Sequence, residues 1–295
     1  MGLGLAAIQN TLELWQQGFF QKIDSVAEIG SQEIHTTAAD FQTLVEQACV
    51  PNYRDFDFPG LENWPAKPRC SARYFYRMLG ATEYDCIDLN EEHGAINHDL
   101  NYPLEEVSLY GKYDLVTDHG SCEHVFNIAE AYRTMHRLCK VGGLIVISQS
   151  LWGGNGYFLY DRSFFEGIAA ANGYRIIYDA YVLCLLSNTQ ETIGQQFHIP
   201  FSRDLLKVVD LRHVDEIGVY AVLQKQEDNE FQVPYQGDYL AERQQHAGFN
   251  RLFFRDPPGY SYVPEFSERR ASHIPVSLLV SELGSRIKKK FSWGS

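Results

Sequence analysis

Basic residues are scarce in this chain: 25 Lys and Arg stand against 38 Asp and Glu, a net charge of −13 over 295 residues. An acidic surface repels phosphate backbones, so nucleic acid is not an expected partner. Long apolar runs are missing too. The longest, near residues 181–186, falls far short of the roughly 20 residues a membrane-spanning helix needs. No basic n-region followed by an apolar run opens the sequence, so no signal peptide is expected and a cytoplasmic location is. The six cysteines are scattered, with neither a C-x-x-C pair nor a metal-ligand spacing. They read as small core residues in a reducing compartment. Both G-x-G-x-x-G and G-x-x-x-x-G-K-[ST] are absent. That argues against a bound pyrophosphate or triphosphate, and against a nicotinamide-dependent oxidoreductase.

What is present is an ordinary globular composition, 45% apolar and 21% charged, with a high aromatic share of 14%. Apolar residues at helical spacing mark amphipathic helices over residues 5–19, 37–48, 71–79, 127–139 and 161–172. Thr37 and Asn127 are the expected N-caps of the second and fourth. A short buried strand running into a turn is expected at 25–32, and strands at 83–88, 95–99, 113–118, 144–148, 174–183 and 217–224. Their alternation with helices predicts an α/β fold: a Rossmann-like, mostly parallel sheet covered on both faces. The last two strands lack a clear crossover helix between them, so an antiparallel pair is expected there. Residues 1–225 form the expected core, with loop insertions at about 51–68 and 184–216. Residues 226–295, rich in proline and isolated aromatics, form an expected extension packed on that core. The basic residues near its end read as a solvated tail.

In an open parallel sheet, ligands sit beyond the carboxyl ends of the strands, at the point where the winding reverses. Four consecutive strands end in polar residues: Glu28-Ile29-Gly30-Ser31-Gln32, Asp88-Leu89-Asn90, Asp99-Leu100-Asn101 and Asp118-His119-Gly120. Each suits a nucleoside. Gly30 allows close backbone approach. Asp88 can accept both ribose hydroxyls. Asp99 can receive an exocyclic amine. Acidic Glu28 and Asp118 favour a nucleoside that carries a cationic group.

These segments, in this order, resemble the class I S-adenosylmethionine-dependent methyltransferase superfamily over roughly residues 20–225. The matching pieces are AEIGSQ, CIDLN, HDLN, YDLVTDHGSCEHV and LCKVGGLIVIS. The resemblance implies a seven-stranded sheet with its last strand antiparallel, and methyl transfer from S-adenosyl-L-methionine. The implied cofactor contacts are Glu28, Gly30, Ser31, Gln32, Asp88, Leu89, Asp99, Leu100, Asp118 and His119. Two departures stand out. Ser31-Gln32 occupies the place of the second glycine, and Gly120 replaces the first Glu of the E-x-x-E-H found in ubiquinone-type members, leaving Glu123-His124. No required metal is expected.

Methyl transfer to a hydroxyl needs an in-line geometry and a base near neutral pH, a role histidine fits. His119 is the first candidate for touching cofactor or acceptor, and His124 the second. Both also have plain structural readings, as does Glu123 at the start of a helix. In the loop after the fifth strand, Asn155-Gly156-Tyr157 stands where relatives carry a His-Gly-aromatic element. Trp152, Asn155 and Tyr157 are the candidate acceptor contacts. The expected function is methylation of an O or N atom of a small molecule, a saccharide or secondary metabolite. The alternative is a non-catalytic protein that uses the fold for binding or assembly. The oligomeric state stays open, a homodimer included.

Overall fold

The computed structural model describes residues 2–20, 23–185, 196–200 and 214–234, together with Val280. In chain order the strands are β1 (Gly2–Gly4), β2 (Ser25–Ile29), β3 (Glu33–His35), β4 (Glu83–Asp88), β5 (Ile96–Asn97), β6 (Tyr113–His119), β7 (Cys139–Trp152), β8 (Arg175–Leu185), β9 (Gln196–Pro200) and β10 (Val214–Gln224). The α-helices are α1 (Leu5–Gln16), α2 (Ala38–Gln47), α3 (Ala72–Met78), α4 (Ile128–Leu138) and α5 (Arg162–Asn172).

The main sheet runs β5-β4-β2-β6-β7-β10-β8-β9. The first five strands in that order pair in parallel. β10 is antiparallel to both β7 and β8, and β9 is antiparallel to β8. This is the seven-strand frame the resemblance implies, with one addition. The expected loop at 184–216 carries an eighth strand, β9, on the sheet edge. The chain winds one way from β2 to β5 and the other way from β6 onward, so the switch point lies between β2 and β6.

Period-two alternation sends the strand residues into two cores. Ala27, Ile29, Ile87, Val116, Ile145 and Ile147 pack with α4 and α5. Val26, Cys86, Leu115, Leu144, Val146 and Val222 pack with α1, α2 and α3. Strands covered on both faces read as near-continuous apolar runs, and all five residues of β2 are buried. Among the described residues, Cys70, Cys86, Cys122 and Cys139 are buried free thiols, and no helix is long and apolar enough to cross a membrane.

Helix caps follow the sequence in three places. Thr37 Oγ1 accepts from Asp40 N–H at 3.1 Å, Ser71 Oγ from Arg73 N–H at 3.2 Å, and Asp161 Oδ1 from Ser163 N–H at 2.8 Å. Asn127 is a correction. It occupies the N-cap position of α4, but its side chain makes no cap bond. Its Nδ2 instead donates to the Asn101 carbonyl at 2.9 Å, tying the helix start to the loop after β5.

A second difference lies near the N-terminus. Residues 33–35 form β3, which pairs in parallel with β1 (Gly2 to Glu33, Leu3 to Ile34, Gly4 to His35). Three-residue strands of this kind leave no period for a sequence to show. Of the expected extension, residues 226–234 and Val280 are described. Its first residues lie on α4 and α5: Phe231 is buried against His136, and Gln232 N–H donates to Asn172 Oδ1 at 2.7 Å. The aromatic-rich stretch 249–262 and the basic tail fall outside the described residues.

Lys225 follows β10 directly and is buried beside the end of α4 and the start of β7. It is 1% exposed, and its Nζ donates to the carbonyls of His136 at 3.0 Å and Cys139 at 3.1 Å. Lys225→Ala leaves these carbonyls without their donor. We expect a loss of roughly 2 to 3 kcal/mol in urea unfolding, the usual scale for buried bonds from a charged donor. A loss under about 0.5 kcal/mol would show that water replaces the ammonium freely.

Candidate functional site at the strand ends

The loop after β2 is fastened to both neighbouring strands. Gly30 has φ +84°, and a Cβ there would stand 2.2 Å from Ser121 Oγ. Only glycine fits this left-handed, crowded position. Ser31 N–H donates to Asp88 Oδ2 at 2.8 Å, and Ser31 Oγ lies 3.0 Å from the same oxygen. Asp88 is half-buried at the end of β4, and its Oδ1 receives only a long 3.3 Å bond from Asn90 N–H. Leu89 beside it is 60% exposed.

Other predicted residues serve the scaffold. Glu28 is fully buried, accepting from the Tyr84 hydroxyl and from Gln32 N–H at 3.2 Å on one oxygen. Burial pushes its carboxyl up to about 8, against the opposing pull of those bonds. Asp118 is also fully buried. Its Oδ1 accepts from Ser121 N–H at 2.8 Å and Cys122 N–H at 3.2 Å, and its Oδ2 from Gln149 Nε2. Burial pushes it up to about 6. Both were expected to face a cation; both are fully buried, Asp118 with both oxygens bonded to loop and strand-end donors and Glu28 with Oε2 bonded and Oε1 without a partner. Leu100 belongs to the core. Asp99 is half-buried, and its Oδ1 accepts from Asn101 N–H at 2.9 Å and Asn101 Nδ2 at 2.7 Å. These bonds hold its carboxyl below the ordinary range.

A cavity of about 210 Å³ opens beside this loop, over the ends of β6 and β7. Its lining includes His119, Gly120, Glu123, His124, Gln149, Ser150, Asn155 and Glu216, and Gly2, Gly4, Ala6, Ala7 and His35 from the N-terminal elements. His119 is 4% exposed, and neither ring nitrogen has a hydrogen-bond partner. Burial pushes it down to about 4, so it is neutral at pH 7. His124 follows in a short 3₁₀ turn, Cys122–His124. Its Nε2 lies 3.6 Å from Glu123 Oε1, and its side chain is 39% exposed.

Glu123 does more than complement a helix dipole. Its Oε2 accepts from Ser150 N–H at 2.8 Å, and its carbonyl accepts from Tyr157 N–H at 2.7 Å and Phe158 N–H at 3.2 Å. Gly156 sits so close that a Cβ would lie 2.7 Å from Glu123 Cβ. Glu123 therefore seats the loop after β7 at the cavity. Gln149 is oriented as well. Its Nε2 donates to Asp118, which leaves its buried Oε1 without a partner. The reverse orientation would set two acceptor oxygens against each other.

Of the three predicted acceptor contacts, Asn155 lines the cavity. Trp152 and Tyr157 do not; they are 37% and 74% exposed, and Tyr157 meets Phe126 edge-on at 6.3 Å. Sequence reasoning missed His35, Gln149, Ser150 and Glu216. Gln149 and Ser150 follow the LIVIS run directly, so the strand-end rule applied to the other strands would have found them. His35 and Glu216 had no comparable signal. Among the described residues no group of three or more His, Cys, Asp or Glu could hold a metal ion.

No protein-family profile matches the chain, and no curated protein matches it in sequence. Solved structures align with it at low similarity. A SAM-dependent methyltransferase of Archaeoglobus fulgidus is 12% identical, with 74% of this chain and 93% of that one covered at a TM-score of 0.37. One from Aquifex aeolicus is also 12% identical, covering 74% and 90% at 0.34. The 1,6-didemethyltoxoflavin-N1-methyltransferase of Burkholderia thailandensis is 10% identical, covering 75% and 79% at 0.31. Identities and scores this low add nothing on activity, and the fold stands on the strand order itself.

The Glu28 carboxyl makes a pH prediction. Unfolded, it loses its proton near the ordinary value of about 4.5; folded, it keeps it to about 8. Wild-type stability therefore falls as pH rises between these values. Glu28→Gln mimics the protonated acid and has no proton to lose. Its melting temperature relative to wild type should climb from pH 5 to pH 8 and level off above. A difference that stays flat across that range would contradict the assignment.

Proposed function

We propose that the chain is an S-adenosyl-L-methionine-dependent methyltransferase that methylates an O or N atom of a small-molecule acceptor, a saccharide favoured. The observation that carries this reading is the pairing, at one switch point, of a carboxylate-ended strand with a histidine cavity. Asp88 ends β4 with Oδ1 lightly engaged, and the cavity beyond β6 holds a buried, unpartnered, neutral imidazole.

The residues present fit such a cofactor. Asp88 Oδ1 suits ribose hydroxyls, since a carboxylate accepts from two donors at once. Asp99 and Leu89 border the same strand ends. S-adenosyl-L-methionine, when bound, supplies an electrophilic sulfonium methyl. The remaining chemistry falls to the chain. His124, backed by the Glu123 carboxylate 3.6 Å away, would take up the proton that the acceptor gives off, and Glu123 would stabilise the imidazolium. His119 has no carboxylate partner for a charged form. Held neutral by burial, it serves as a hydrogen-bonding contact.

The cavity wall also speaks for the acceptor class. Its described lining offers amide, hydroxyl and imidazole groups together with Glu123 and Glu216, and no Lys or Arg. Gln149 Oε1 is an acceptor awaiting a donor. A neutral, hydroxyl-rich molecule matches this set, and an anionic one does not.

Calorimetry with S-adenosylhomocysteine should show binding that Asp88→Ala weakens at least tenfold, about 1.4 kcal/mol. Wild-type protein that binds none at millimolar ligand sinks the reading. On any acceptor that turns over in a panel of methyl glycosides and amines, His124→Ala should lower kcat by about 10² or more. His119→Ala should act mainly on KM. Equal kinetics for both variants would remove the base assignment.

A further inference from the structure

The position where a glycine-rich loop has its second glycine carries Gln32, and Gln32 is 1% exposed. Its amide makes two donor bonds, to the Ile29 carbonyl at 2.8 Å and to Ser121 Oγ at 2.8 Å. Ser121 Oγ donates in turn to the same Ile29 carbonyl at 2.7 Å. The Gln32 backbone N–H donates to Glu28 Oε2 at 3.2 Å. These groups close a buried bridge between the loop after β2 and the loop after β6. Gly30 is what lets the loops approach, since a Cβ there would collide with Ser121 Oγ.

The bridge has reach in both directions. Toward β4, the next residue back, Ser31, grips Asp88 through its N–H and hydroxyl. Toward β7, Ser121 N–H donates to Asp118, and Asp118 accepts from Gln149 in the cavity wall. A glycine loop gains its shape when a ligand orders it, at a cost in conformational entropy. Here side-chain bonds have already ordered it.

Resting on the methyltransferase reading, we propose that Gln32 is a positioning residue for the cofactor: with Ser121 it holds Ser31 and Asp88 in their binding arrangement before the cofactor arrives. The glutamine is thus a substitute for the missing glycine and not an obstruction. It touches no reacting atom.

The test compares S-adenosylhomocysteine calorimetry on full-length wild type, Gln32→Met and Gln32→Gly, with hydrogen exchange at residues 30–32 in the ligand-free proteins. Methionine keeps the volume and removes both donors, so the chain should still fold. We expect Gln32→Met to bind about tenfold more weakly or worse, with a less favourable binding entropy and faster exchange at Ser31 and Gln32. A merely structural role would lower the melting temperature and leave the affinity of the folded protein unchanged. Affinity within twofold of wild type for Gln32→Met overturns the proposal. So does tighter binding by Gln32→Gly, which would make the glutamine an obstruction. Absence of binding by wild type itself is a different failure, that of the methyltransferase reading.

Discussion

A parallel sheet buried on both faces has only its strand ends at which polar chemistry can meet a ligand, and those ends must first be held in place. In this chain the ends of β2, β6 and β7 are joined by one buried hydrogen-bonded run: Gln32 to Ser121, Ser121 to Asp118, Asp118 to Gln149. Every feature of the site hangs from it. The run fixes the Gly30 turn, aligns Ser31 with Asp88, shapes the turn that carries His119 and Glu123, and aims the Gln149 amide. Buried polar networks are costly where partly satisfied, and here Glu28 Oε1, Gln32 Oε1 and Gln149 Oε1 are buried without a partner. Glu28 and Asp118, two of the four acidic residues that looked like ligand contacts, bond to this run.

The same logic separates the surroundings of the two histidines. A buried imidazole without a counter-charge stays neutral, because desolvation penalises its cation. His119 is such a group, and His124 is not: it is more exposed and has a carboxylate neighbour that also seats the loop after β7. One carboxylate therefore neighbours the imidazole and seats the loop. Disturbing Glu123 would be felt in both.

Much of the fold was legible in the sequence, because hydrophobic period and cap residues are local. The mostly parallel sheet follows from βα alternation, and Thr37 marked a helix start that the structure shows. The missed elements were β1, β3 and β9, strands of three to five residues whose pairing is non-local. Of the candidate residues, the structure places His119, His124 and Asn155 at one cavity and Asp88 at the neighbouring strand end. Strand-end polarity found Asp88, His119 and His124, yet it could not separate a carboxylate facing a cleft from one facing its own loop. Glu28 and Asp118 show why: burial and partner geometry decide the role, and neither is written in residue type. Aromatic character misled in a similar way, since Trp152 and Tyr157 stand outside the cavity while Gln149 and Ser150, polar and unobtrusive, line it.

A crystal structure of the full chain with S-adenosylhomocysteine tests the central claim most directly. The account predicts the ribose hydroxyls on Asp88, the sulfur directed toward the cavity that holds His119 and His124, and the Gln32–Ser121 bridge unchanged. A nucleoside bound away from Asp88, or a loop after β2 rebuilt around the ligand with that bridge broken, would contradict it.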